Sequence, residues 1–160
     1  MELVFSKIST RGTKILVVLI SIILLPILFI GILLYILYGI ILYVAIWLTW
    51  RQQFVLFVYS NSPIWKDYLE ANVIPKLQNH AVILNWSERK AWKNSLAVLA
   101  FRYFGGYRDF NPLALVFGPF HSVKDYRFFE AFKDFKHGNP GKVEKVMKEL
   151  FDALASRPSQ

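Results

Sequence analysis

The chain contains no cysteine, which excludes a disulfide framework and thiolate chemistry. It also lacks the glycine-rich fingerprints of nucleotide-binding loops and the Gly-x-Ser-x-Gly elbow of serine hydrolases. The three histidines, His80, His121 and His137, are isolated and have no companion ligands at a spacing that suits zinc. We therefore expect neither a metal nor a cofactor.

Charge is absent from one long segment. Residues 15–50 contain no Asp, Glu, Lys or Arg and read ILVVLISIILLPILFIGILLYILYGIILYVAIWLTW. About 20 apolar helical residues cross the roughly 30 Å hydrocarbon core of a bilayer, and the rest of the chain is too small to bury this run. The sequence predicts a transmembrane anchor over residues 15–50. It forms either one long tilted helix or a hairpin bent near Pro26 and Gly31.

The flanks of the anchor bear on its orientation. A basic flank, residues 1–14, precedes it, while Trp47, Trp50 and Arg51 mark its other end as interfacial residues would. The formal net charge is +8, of which the flank supplies +2 and residues 51–160 supply +6. The positive-inside rule weakly favours a cytoplasmic N-terminus. With that orientation, one span would put the following domain outside, and a hairpin would keep it inside. Because a basic surface suits an anionic inner leaflet, we expect an integral membrane protein with its soluble domain on the cytoplasmic face.

The sequence predicts a basic α/β domain over residues 52–156, followed by a short tail over residues 157–160. Short apolar runs favour strands and apolar residues at helical spacing favour helices. Strands are predicted at 53–60, 81–85 and 113–117, and helices at 64–73, from 88, at 123–136 and at 143–155. Residues 95–104 suit either type, and a strand is the preferred interpretation. The predicted fold is a transmembrane helix or hairpin followed by a small three-layer, mostly parallel, flavodoxin- or Rossmann-like sheet of three or four strands.

One stretch resembles a known family. Residues Phe54 to Leu77 read FVLFVYSNSPIWKDYLEANVIPKL. They resemble the first strand and helix of a TIR domain, in which a serine- and tyrosine-containing strand end precedes a Trp-containing helix. The resemblance covers this stretch alone and implies a flavodoxin-like topology. It assigns no glutamate to the catalytic role found in TIR enzymes that cleave NAD.

Polar residues follow the first two predicted strands. Ser60, Asn61 and Ser62 follow the first, and Asn85, Ser87 and Glu88 follow the second. Ligands of open α/β sheets bind beyond the carboxyl ends of the strands, and helix N-termini attract anions. These six residues are therefore predicted to form a ligand site. The alternative interpretation is that the serines cap helices and that Asn61 serves a turn.

A third contributor depends on the ambiguous segment. If residues 96–104 form a strand, the loop after it brings Arg108 and Asp109 to the same edge. If they form a helix, His121 takes that role as a candidate acid or base. The sequence identifies no catalytic residue.

The leading functional hypothesis is a binding or assembly module anchored at the membrane surface. The first alternative is a membrane-bound enzyme or sensor for a phosphorylated or nucleotide-like ligand, and the second is a small subunit of a larger membrane complex. The sequence leaves enzymatic activity undecided and favours a non-catalytic role. The expected partner is the bilayer, with an anionic lipid, a phosphorylated small molecule, another copy of the chain or a larger complex as further candidates. Nucleic acid is not expected, because no binding motif occurs and the aromatic residues follow core spacing.

Overall fold

The structure is a computed structural model that describes residues 2–77, 79–106, 111–118 and 123–156, with side chains from residue 12 onward. The chain divides between Ile41 and Leu42 into two compact units. The helices are α1 (Glu2–Thr49), α2 (Lys66–Asn72), α3 (Ile74–Leu77), α4 (Leu96–Phe104), α5 (Phe129–Lys136) and α6 (Gly141–Ala155), and a 3₁₀ helix covers Trp86–Ala91. The strands are β1 (Val55–Tyr59), β2 (Ala81–Asn85), β3 (Leu113–Val116) and β4 (Lys124–Arg127).

Helix α1 is continuous, although Pro26 lies inside it. The structure therefore has the helix alternative of the predicted anchor and not the hairpin. Within Gly12–Thr49, an 18-residue window has a mean hydropathy of 3.3. Every large apolar side chain from Ile15 to Ile41 is 43–64% exposed. By length and composition this helix is a candidate membrane span.

The second unit contains a four-stranded sheet with the strand order β2-β1-β3-β4. Strands β1 and β2 are parallel and in register from Val55↔Ala81 to Tyr59↔Asn85, whereas β3 runs antiparallel to both β1 and β4. The sheet is therefore mixed, and not mostly parallel as expected. Residues 117–123 join β3 to β4, and a connection this short cannot make the crossover that a parallel pair needs.

Helices cover both faces of the sheet, because all five residues of β1 are buried and point alternately to either side. Val55, Phe57 and Tyr59 face a core that α2, α3, α5 and α6 complete. Leu56 and Val58 face a second core that α4, the 3₁₀ helix and the last part of α1 complete. Leu42 and Ile46, which lie near the end of the apolar helix, are 3% and 1% exposed there. The second unit thus has three layers, and its own core includes residues from the predicted anchor.

The preferred strand at residues 95–104 is wrong, because this segment forms α4. The hydroxyl oxygen of Ser95 accepts a hydrogen bond from the N–H of Val98 at 3.4 Å and so caps the helix. Ala97, Val98, Ala100 and Phe101 are buried, a spacing of three and four residues that is typical of one helical face. The segment is short and mostly apolar, and the periodicity of such runs does not distinguish a helix from a strand.

The predicted helix over residues 123–136 also differs from the structure. Its first part is strand β4, which pairs with β3 in the register Ala114↔Tyr126, and the helix α5 begins only at Phe129. Pairing with a neighbouring strand decides this conformation, and a local pattern does not contain that information. The first predicted helix of the domain is likewise shorter, since α2 begins at Lys66 after a turn. The predicted tail, residues 157–160, lies outside the described residues.

Candidate functional site

Four of the predicted site residues meet at the carboxyl edge of the parallel pair β1–β2. The side-chain amide of Asn85 donates to Oδ1 of Asn61 at 2.8 Å and to Oε1 of Glu88 at 3.3 Å. The hydroxyl oxygen of Ser87 accepts from the backbone N–H of Asn61 at 2.9 Å. We call Asn61, Asn85, Ser87 and Glu88 the polar clasp, because their hydrogen bonds join the loop after β1 to the loop after β2.

The clasp also begins the 3₁₀ helix. Asn85 is the N-cap, and its Oδ1 accepts from the N–H of Ser87 at 3.0 Å. Ser87 was expected to cap a helix itself, but its hydroxyl contacts the neighbouring loop instead. The hydroxyl oxygen of Ser62 accepts from the N–H of Ile64 at 3.4 Å in the turn before α2, and Ser60 is buried. The hydrogen bonds of this edge are thus largely made between its own residues.

No sequence motif indicates the tyrosine that lies next to the clasp, at the end of β1. The hydroxyl of Tyr59, the last residue of β1, donates to Oε1 of Glu70 at 3.0 Å. Burial, the hydrogen bond to Glu70 and the charges of Glu70 and Glu88 raise the pKa of Tyr59 to about 12. The phenol therefore stays protonated at neutral pH. Two carboxylates beside it make this edge electronegative, which opposes the binding of a phosphate.

The remaining predicted residues cannot be assigned to this edge. Arg108, Asp109 and His121 lie outside the described residues. Because residues 96–104 are helical, the alternative that involved Arg108 and Asp109 through a strand end no longer applies. Within the described part of the chain, no group of three or more His, Asp and Glu side chains could hold a metal ion.

The second unit has a large cavity at the opposite, amino-terminal end of β1. Its volume is about 920 Å³, which is within the range of small-molecule sites. Four parts of the chain line this basal pocket: the end of α1 with the segment to β1 (Tyr43, Ile46, Trp47, Leu48, Trp50, Arg51, Gln52, Phe54), the α3–β2 connection (Lys76, Asn79, His80), the end of β3 (Phe117, Gly118) and the end of α6 (Phe151, Leu154, Ala155).

Aromatic contacts and one long-range hydrogen bond organise the basal pocket. The hydroxyl of Tyr43 donates to the carbonyl oxygen of Gly118. Trp50 meets Phe117 edge to face, with ring centroids 5.8 Å apart. These contacts join the last part of α1 to the end of β3 and give the pocket one wall.

The ionisable side chains of the basal pocket that carry formal charge are basic. Nζ of Lys76 lies 5.6 Å from the ring centroid of Phe151, and the ring of His80 lies 5.5 Å from that of Phe54. Arg51 completes the basic side chains, and the described lining residues include no carboxylate. The pocket is therefore apolar and aromatic with a basic rim. The sequence signal that could have indicated it is the Trp47, Trp50 and Arg51 group at the end of the anchor.

Comparisons with known proteins give no relative from which a function could be transferred. No family model matches the chain, and no curated protein or solved structure is significantly similar to it.

Proposed function

We propose that this protein is a membrane-anchored α/β module that acts by binding or assembly at the membrane surface. The observation that carries the proposal is α1, whose 38-residue apolar part continues directly into the core of the second unit. At 1.5 Å per residue this part is about 57 Å long, which exceeds a bilayer core of about 30 Å. Tilting accommodates part of the difference, and the residues from Leu42 onward belong to the second unit, where Leu42 and Ile46 pack into its core.

The cytoplasmic face is the proposed location of the α/β unit. Few basic side chains flank the apolar run at either end. Residues 1–14 contain three, and the 20 residues after the run contain two, Arg51 and Lys66. The charge bias between the ends is therefore small. Residues 42–160 carry a net charge of +6, and an anionic leaflet attracts such a surface. A single crossing then puts the N-terminus on the other side.

Binding of a phosphorylated or nucleotide-like ligand at the polar clasp is the less favoured proposal. The clasp residues already bond to one another, and Glu70 and Glu88 make the edge acidic. The 3₁₀ helix behind it has only six residues, so its dipole adds little to anion binding. We therefore interpret the clasp as a structural link between two loops.

Alkaline carbonate extraction of membranes tests the anchor. The full chain should stay in the membrane pellet, as a protein with a transmembrane helix does, whereas a chain that begins at Leu42 should be released. Retention of both chains would contradict anchoring through α1, because the second unit alone would then suffice. Release of both would show that the apolar helix does not cross the bilayer.

A further inference from the structure

We propose that the basal pocket binds an anionic phospholipid, with the phosphate at Arg51 and Lys76 and the proximal acyl chains against its aromatic wall. The inference rests on the proposed anchoring and goes beyond it, because it gives the second unit a specific lipid site. Three independent properties of the pocket support this occupant: its position, its charge and its shape.

The position follows from the chain itself. Trp47 and Leu48, both on α1, line the pocket and are 49% and 53% exposed. Tryptophan is enriched where a transmembrane helix leaves the hydrocarbon, so this end of α1 marks the headgroup layer. A cavity lined by the same turn of helix opens at the level where phospholipid headgroups lie. A soluble metabolite would have to reach this level through the membrane interface.

The charge of the lining selects an anion. Arg51 and Lys76 come from different segments and converge on one cavity that no described carboxylate lines. Among the described residues, none of the salt bridges involves either side chain. Basic side chains that line one cavity and have no acidic partner among the described residues favour a bound anion. Arginine and lysine are the side chains that bind phosphate in proteins.

The shape and the apolar wall select a lipid over a free phosphate. The apolar wall includes Trp50, Phe54, Phe117 and Phe151, and Leu154 adds an aliphatic side chain. Inorganic phosphate would use the basic rim and leave this apolar wall in contact with water. An amphipathic anion covers both surfaces, and burial of its acyl chains against the apolar wall adds to its affinity.

The test uses the full chain purified in a non-ionic detergent, with thermal unfolding as the readout. Phosphatidylglycerol should raise the Tm saturably, while phosphatidylcholine and soluble glycerol 3-phosphate should not. The double variant Arg51→Gln/Lys76→Gln should weaken the apparent affinity for phosphatidylglycerol by roughly 30-fold, since each basic side chain near a membrane surface contributes about one factor of five. Ala155→Phe, which adds a ring inside the pocket, should also weaken it.

Matched variants separate this site from general electrostatics and from a fault in folding. Lys90→Gln/Lys93→Gln removes the same charge from exposed positions outside the pocket, and Ala91→Phe adds a ring at an exposed position. Both controls should keep the wild-type response. Equal loss in the two charge variants, or an equal response to phosphatidylcholine, would overturn the proposal. A response to glycerol 3-phosphate alone would replace the lipid by a soluble anion and would also overturn it. Carbonate extraction of the same variants reports anchoring separately, so failure of the lipid site does not count against the anchor.

Discussion

Replacing Asn85 by alanine tests whether the polar clasp is structural. Its side chain makes three hydrogen bonds: it donates to Asn61 and Glu88 and accepts from the N–H of Ser87. The last bond caps the 3₁₀ helix, and loss of an N-cap costs about 1 kcal/mol. The two donated bonds are on an exposed edge and one is long, at 3.3 Å. Together they should contribute about 0.5–1 kcal/mol, at the lower end of the usual range for two hydrogen bonds.

Asn85→Ala should therefore destabilise the second unit by about 1.5–2 kcal/mol. For a unit of this size the Tm should fall by roughly 5–10 °C. The assay is thermal unfolding of the full chain in detergent, followed by tryptophan fluorescence. Asn72→Ala is the matched control, because the amide of Asn72 donates only within its own helix, to the carbonyl oxygen of Tyr68 at 3.0 Å and on an exposed surface. The control should change the Tm by no more than about 2 °C.

A double-mutant cycle with Asn61→Ala sharpens the test. Because the two amides bond to each other, the double variant should cost less than the sum of the single variants by about 0.5 kcal/mol or more. Additive effects, or equal effects of Asn85→Ala and Asn72→Ala, would refute the structural interpretation. A higher Tm for Asn85→Ala would indicate that Asn85 belongs to a ligand site, because binding residues often reduce the stability of the fold.

Two further predictions follow from buried groups of the second unit. The pKa of Tyr59 is raised from 10.0 to about 12, so its contribution to stability is complete below pH 10 and is lost as the pH rises towards 12. The wild-type Tm should fall more steeply than that of Tyr59→Phe between pH 10 and 12, and parallel curves would contradict the pKa shift. Leu42 and Ile46 fill the second core, so a chain from residue 42 should unfold at a higher temperature than one from residue 52. Equal Tm values would show that this part of α1 adds nothing to the core, although burial of two such side chains should contribute about 3–5 kcal/mol.

The sequence predicted those parts of the fold that short-range patterns determine. The strands at 81–85 and 113–117 are apolar runs with clear ends, and the structure has β2 and β3 at these positions. The meeting of Asn61 with Asn85 follows from the parallel pairing of β1 and β2, whose carboxyl ends share one edge.

The remaining features depend on contacts between distant segments. Strand β4 has two exposed charged residues at its start and gains its conformation from β3, so its local sequence resembles a helix. Strand β3 runs antiparallel to β1. This direction depends on the path of the chain through α4, and the short apolar sequence of residues 96–104 does not show that this segment is a helix. The basal pocket combines Arg51 with Lys76 and Phe151, which are far apart in the sequence. No local motif encodes such a convergence.

Cysteine accessibility in intact membranes tests the central claim, that α1 crosses the bilayer and holds the α/β unit at its surface. The chain has no cysteine of its own, so each introduced thiol reports alone. Leu28→Cys, in the middle of α1, should not react with a membrane-impermeant maleimide. Glu149→Cys, at an exposed position of α6, should react only from the cytoplasmic side, and Ser6→Cys only from the opposite side. Labelling of Leu28→Cys as fast as Glu149→Cys, or labelling of both ends from one face, would contradict a single crossing.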